Sequence, residues 1–160
     1  MRRILPAAVL IIALTAAGCG TIGVRGGMKD YQDPTIDKVS SYEGFFEFNM
    51  QIVDVGAGVT AVAGSDNSGY VTTIYALVPI PVSGFTFRIG LGVGLEDLKS
   101  KDFALKTAPS LEGRISVGLN LPVLRPEIGF IKGIAKTESA SGTDVDLNPA
   151  TFYIGVGFGF

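Results

Sequence analysis

The sequence predicts an all-β fold: an eight-stranded antiparallel up-and-down transmembrane β-barrel, preceded by a cleaved signal peptide. Three observations carry this expectation. Apolar residues recur at every second position through most of the chain, in runs separated by polar turns. No stretch beyond the N-terminal segment approaches the roughly 20 apolar residues that a spanning helix needs. Charge is nonetheless scarce (13 Lys+Arg and 15 Asp+Glu in 160 residues), and glycine is abundant at 22 residues. A chain of this kind that enters a bilayer without a helix must close its sheet, because a closed barrel leaves no backbone group unpaired.

The chain divides into a targeting segment, residues 1–18, and a single barrel domain, residues 19–160. Arg2 and Arg3 form a positive n-region, and Ile4 to Leu14 form an apolar region too short to span. Small residues Ala16, Ala17 and Gly18 then lead to Cys19. The segment resembles a bacterial lipoprotein signal, which implies acylation of Cys19. It departs from that pattern at Ala16, where Leu, Val or Ile is commoner. The alternative is ordinary signal-peptidase cleavage after Ala17 or Gly18. Cys19 is the only cysteine, so no intramolecular disulfide forms, and acylation would account for the unpaired thiol.

The expected strands, in order, are 20–28, 41–50, 54–63, 70–79, 84–95, 111–121, 126–136 and 150–160. In the first, Ile22, Val24 and Met28 oppose Gly23, Arg25 and Gly27. In the second, Phe46, Phe48 and Met50 oppose Glu43, Phe45, Glu47 and Asn49. A turn is placed between Met50 and Asp54, because residues 41–63 as one strand would run about 75 Å, far beyond a tilted crossing of about 9–11 residues. The third strand sets Val55, Ala57, Val59 and Ala61 against Gly56, Gly58 and Thr60. The fourth is apolar or Thr on both faces. The fifth alternates throughout, Phe85 to Leu95 against Thr86, Arg88 and three glycines. The sixth sets Ile115, Val117, Leu119 and Leu121 against Glu112, Arg114, Ser116, Gly118 and Asn120. The seventh loses its alternation after Phe130, where a bulge is expected.

The eighth strand is the clearest. Phe152, Ile154, Val156, Phe158 and Phe160 share one face; Thr151, Tyr153 and three glycines share the other. A terminal aromatic with apolar residues at every second position before it resembles the C-terminal assembly signal of outer-membrane barrels. Connection lengths agree with that resemblance. Short links at 51–53, 80–83 and 122–125 alternate with longer polar loops at 29–40, 64–69, 96–110 and 137–148. The chain resembles the small eight-stranded outer-membrane proteins, the class of OmpX-like and OmpA transmembrane barrels. That resemblance implies an outer membrane of a Gram-negative-type bacterium, with both termini on the periplasmic side. Its partners would be outer-membrane lipid and the barrel-assembly machinery, and a monomer is expected.

The face opposite the bulky apolar residues is rich in glycine with scattered Arg and Glu. A face that meets water would carry Lys, Glu, Thr and Gln instead, so this one is assigned to a narrow lumen, where glycine marks tight space. The inward ionisable residues are then Arg25, Glu43, Glu47, Arg88, Glu112, Arg114 and Glu127, and they should pair with one another. Setting Met28 opposite Tyr42 would place Glu43 and Glu47 on the diagonals of Arg25. Tyr42, Tyr70 and Phe152 would form a girdle at the loop-side interface, with Phe85, Phe158 and Phe160 at the other and Tyr153 turned into the lumen.

Several function classes drop out. The mildly acidic balance argues against nucleic acid. Residues 52–61 imitate a dinucleotide-binding strand and turn, but the glycines and polar residues of 64–69 leave no room for the helix that fingerprint requires. With no histidine in the chain, Ser-His catalysis and His-metal chemistry are excluded, and no enzyme activity, metal or cofactor is expected. The expected role is structural or surface-presenting, with a lumen plugged by Arg/Glu pairs. A narrow channel for ions or small solutes is the alternative. A soluble lipocalin-like lipoprotein carrying an apolar ligand is a third reading.

Overall fold

The computed structural model describes residues 20–32, 37–50, 52–100, 107–138 and 144–160. The expected signal peptide and Cys19 lie outside them. Among the described residues, nine strands follow in chain order: β1 (Gly20–Asp30), β2 (Val39–Asn49), β3 (Asp54–Ala63), β4 (Asn67–Val82), β5 (Phe85–Ser100), β6 (Ala108–Leu119), β7 (Leu124–Glu138), β8 (Asp144–Leu147) and β9 (Ala150–Gly159). Each pairs antiparallel with its neighbour, and β9 closes the ring by pairing with both β7 and β1.

β8 was not expected, yet the barrel remains eight-stranded. β7 pairs Ala135 with Leu147 on β8 and Lys132 with Ala150 on β9, one unbroken register along a single edge. β8 is therefore the continuation of β9 beyond an interruption at Asn148-Pro149, where proline has no N–H to offer the ladder. Pro149 still accepts a hydrogen bond from the Gly133 N–H at 2.7 Å.

The expected bulge in the seventh strand is absent. β7 keeps one register against β6 from Ser110↔Ala135 to Gly118↔Glu127, and one against β9. Ile131 faces the lumen and Lys132 faces out, so the hydropathy pattern inverts while the backbone stays regular. Most strands also run further toward the loops than their apolar residues suggest. Residues 97–100, assigned to a polar loop from sequence, complete β5.

The shear follows from the register. Stepping between partners from Gly20 through Phe48, Val55, Ala76, Leu91, Gly113, Lys132 and Ala150 returns to β1 at Asp30, ten residues along. Eight strands with that stagger tilt by about 40° and enclose an interior that side chains can fill. Ser83 (φ 41°) and Gly84 (φ 90°) make a two-residue β4–β5 turn of the kind that demands positive φ at both positions. The expected turn after Met50 closes with the Met50 N–H donating to the Val53 carbonyl at 3.0 Å.

The period-two pattern sorts the faces. The bulky apolar residues face outward: Leu91, Ile154 and Phe152 are 65%, 72% and 70% exposed. Tyr42 and Tyr70 on the loop side, and Phe85, Phe158 and Phe160 on the turn side, all lie on this surface. Such an apolar exterior is stable against lipid and not against water. Charged and small residues face in. Glycines beside aromatics make the room: a Cβ at Gly56 would strike the Tyr75 ring, at Gly129 the Tyr153 ring, and at Gly23 the Phe45 ring. The lipocalin-like reading needs the opposite arrangement, with the apolar face lining a cavity.

Candidate functional site

The lumen holds the cluster of charge. Alternation on β1 points Arg25 inward, and the same parity on β2 brings Glu43 and Glu47 beside it. Arg25 donates to Glu127 Oε1 from Nε at 2.5 Å, to Glu43 Oε2 from Nη1 at 3.1 Å, and to Glu47 Oε1 from Nη2 at 2.7 Å. Its guanidinium carbon also lies 3.7 Å from the Phe45 ring centroid, a cation–π contact in a desolvated setting. The Tyr75 hydroxyl accepts from Arg25 Nη1 at 3.1 Å and donates to Glu47 Oε1 at 3.0 Å.

Arg114 extends this layer. It donates to Glu43 Oε1 at 3.0 Å and to Glu112 Oε2 at 2.9 Å, with its guanidinium 4.1 Å from the Tyr75 ring centroid. Below, toward the turns, Arg125 donates to Glu47 and lies 3.6 Å from Glu127, and Arg88 pairs with Asp54 at 3.3 Å and approaches Glu127 at 3.8 Å. Thr21 donates to Asn49 at 2.8 Å and Thr86 to Asn120 at 2.6 Å at the same end.

The loop-side end is built differently. Lys29 Nζ lies 2.6 Å from Glu96 Oε1, and the Tyr31 hydroxyl donates to the same oxygen at 2.7 Å. Burial and the Glu96 charge push the Tyr31 phenol well above its ordinary pKa. Tyr31, Val39, Val62, Leu98, Ala108, Ala135 and Leu147 then form a buried apolar layer at the mouth. Between this end and the Arg25 layer lies a cavity of about 30 Å3, lined by Lys29, Glu43, Glu112, Arg114 and Tyr153 among others. It has room for one or two waters.

All seven ionisable residues expected in the lumen are buried there: Arg25, Glu43, Glu47, Arg88, Glu112, Arg114 and Glu127. The register expected for β1 and β2 is corrected. Tyr42 stands opposite Gly26 and Glu43 directly opposite Arg25. Alternation sets which face a residue takes, but a two-residue slip preserves every face, so the pattern alone does not choose between the two registers. Four buried charges, Lys29, Asp54, Glu96 and Arg125, were missed. Each continues the inward parity by one step beyond a recognised inward residue: Lys29 after Gly27, Asp54 before Gly56, Glu96 after Gly94, and Arg125 before Glu127.

No protein-family model matches the chain, and no curated protein matches it in sequence. Solved structures do. Neisserial surface protein A (NspA) superposes with a TM-score of 0.71 over 88% of this chain and 96% of its own, at 12% identity. The N-terminal β-barrel domain of Pseudomonas aeruginosa OprF superposes with a TM-score of 0.59 over 88% of this chain and 97% of its own, at 10% identity. Identities this low carry fold and nothing finer. With the apolar exterior, the ten-residue stagger and the charged lumen, the chain is a small eight-stranded antiparallel transmembrane β-barrel of the kind found in bacterial outer membranes.

Proposed function

We propose that this barrel is a non-enzymatic integral outer-membrane protein with a structural or surface-presenting role, and that its lumen is a fixed plug. One observation carries the reading. Each of the six lumen acids shown buried among the described residues has a cation within 4 Å: Glu43, Glu47, Asp54, Glu96, Glu112 and Glu127 are met by Arg25, Lys29, Arg88, Arg114 and Arg125. Bare buried charges would each cost several kcal/mol, and mutual pairing offsets that cost. Stacked against Phe45 and Tyr75, the pairs occupy the cross-section that a permeating ion would need. Lipid and the barrel-assembly machinery are the partners this reading requires, and a monomer suffices.

Planar-bilayer recording on the purified protein tests the plug. The expected result is no resolved single-channel steps. Regular ohmic steps that disappear when Arg25 or Arg88 is neutralised would replace the plug with the alternative, a narrow channel for ions or small solutes.

A further inference from the structure

The outer surface is not evenly convex. An apolar groove runs from β1 across β9, β7, β6 and β5 to β4, lined by Met28, Ile115, Phe130 and Phe152 with others. Its course follows one row of outward partners. Gly26 pairs with Ile154, Ile154 with Ile128, Ile128 with Val117, Val117 with Phe87, and Phe87 with Ile80. Six strands at about 4.8 Å spacing give a groove of about 24 Å, inclined to the membrane by the strand tilt. Gly26 notches one end, and the tilted Phe130–Phe152 ring pair, centroids 4.7 Å apart, forms the upper wall.

Lys132 stands beside it. It is the next outward residue on β7 after Phe130, toward the loop end of the strand. Its lateral neighbours are Ala150 on β9 and Gly113 on β6, and a Cβ at Gly113 would meet nothing closer than the Lys132 carbonyl oxygen at 3.9 Å. The Gly113 side of its stem is therefore uncovered, while Lys132 as a whole is half-buried. The ammonium donates to Gln32 Oε1 at 2.5 Å and to the Asn148 carbonyl at 3.2 Å. Both acceptors are neutral and take two of the three N–H groups, which leaves one available. Among the residues whose side chains are described, no carboxylate lies within ion-pair distance of it, and the nearby Asp30 pairs with Lys38 at 3.2 Å.

The geometry points to a lipid site on the β5–β6–β7–β9 exterior. A phosphate-bearing lipid of the loop-side leaflet would set its phosphate against Lys132 and lay an acyl chain along the groove past Phe130, Ile115 and Phe87. A stem that lies on apolar surface with its charge at the interface suits an anionic headgroup. Charge-assisted contact to phosphate adds selectivity to the apolar burial that any chain would enjoy. This inference rests on the membrane-barrel reading.

Native mass spectrometry of the full protein in detergent, titrated with dioleoyl phosphatidic acid, tests it; dioleoylglycerol, with the same chains and no phosphate, is the control. The unmodified protein should retain one phosphatidic acid and no dioleoylglycerol. Lys132→Gln should weaken retention at least about tenfold, the scale of a lost charge-assisted hydrogen bond, and Lys132→Arg should preserve it. Val117→Trp, which fills the groove, should weaken it, whereas Val59→Trp on the opposite exterior should not. Equal retention by Lys132→Gln, no retained phosphatidic acid, or equal loss from the two tryptophan variants would overturn the site. A gel shift on boiling, recorded for every variant, keeps this separate from the barrel reading: a parent with no shift fails as a barrel, whereas a shifted parent without lipid fails only as a lipid site. A Lys132→Gln variant that does not shift is replaced by Lys132→Met, with the same expectation.

Discussion

Arg25 shows how much one side chain can organise when every backbone group around it is already satisfied. It reaches three carboxylates on two other strands and lies 3.7 Å from the Phe45 ring centroid and 5.2 Å from that of Tyr153. Arg25→Met should therefore destabilise the barrel by about 3–5 kcal/mol, because it leaves buried carboxylates short of a partner. Urea unfolding in lipid vesicles measures this, and a loss below about 1 kcal/mol would show that Arg114, Arg88 and Arg125 take over its role. The contrast is Lys38, whose side chain is 68% exposed where it meets Asp30. Lys38→Ala should change stability by no more than about 1 kcal/mol, as for exposed pairs generally. Glycine matters by the space it leaves. Gly56→Val should clash with Tyr75 and cost about 1–3 kcal/mol, and Tyr75→Leu in the same chain should recover part of it. Strict additivity of the two changes would mean that the ring and the glycine do not share that space.

At the scale of the element, the seam between the first and last strands decides whether a sheet becomes a barrel. Gly20 and Phe160 exchange two main-chain hydrogen bonds, at 3.2 and 3.0 Å, at its turn-side end. Deleting Phe160 removes both, whereas Phe160→Ala keeps the backbone and removes only the ring. If the ring is the assembly signal, both variants should reduce the fraction of protein that shifts on boiling after expression in cells; if seam closure dominates, only the deletion should. Much of this element-level order was legible from sequence, because inside and outside alternate with a period of two and lipid demands bulky residues on one side. The strand cores at Phe85–Leu95 and Thr151–Phe160 are plain for that reason. Strand ends were not legible. Beyond the membrane-facing band the outward residues turn polar, as at Asp97 and Lys99, and polar residues read as loop while the ladder continues. The four missed lumen charges sit near such ends. Residues 144–147 read as loop for a related reason: Pro149 hides that they continue the β9 line.

Across the whole molecule, the proposed plug consists of two closures of different chemistry in series. The loop-side mouth is filled by Tyr31 and its apolar neighbours, latched through Glu96 and Lys29. The centre is filled by the Arg25 and Arg114 ion pairs and the rings stacked on them. Resistances in series are set by the larger, so opening one closure leaves the other in control. Tyr31→Ala should admit water at the mouth and yet give no channel steps, because the charged layer below it is intact. Arg25→Ala combined with Glu43→Ala removes a matched pair, which limits the cost of stranded charge, and should also fail to conduct while the mouth is closed. The triple variant, with both closures cut back, should show steps where neither parent does. Planar-bilayer recordings of the four proteins, each first confirmed to shift on boiling, decide the matter. Conduction in Tyr31→Ala alone would make the apolar mouth the sole barrier and turn the ion pairs beneath it into the lining of a pore. Silence from the triple variant would mean that the remaining pairs, Arg88 with Asp54 and Arg125 with Glu47, close the turn-side end as a third barrier.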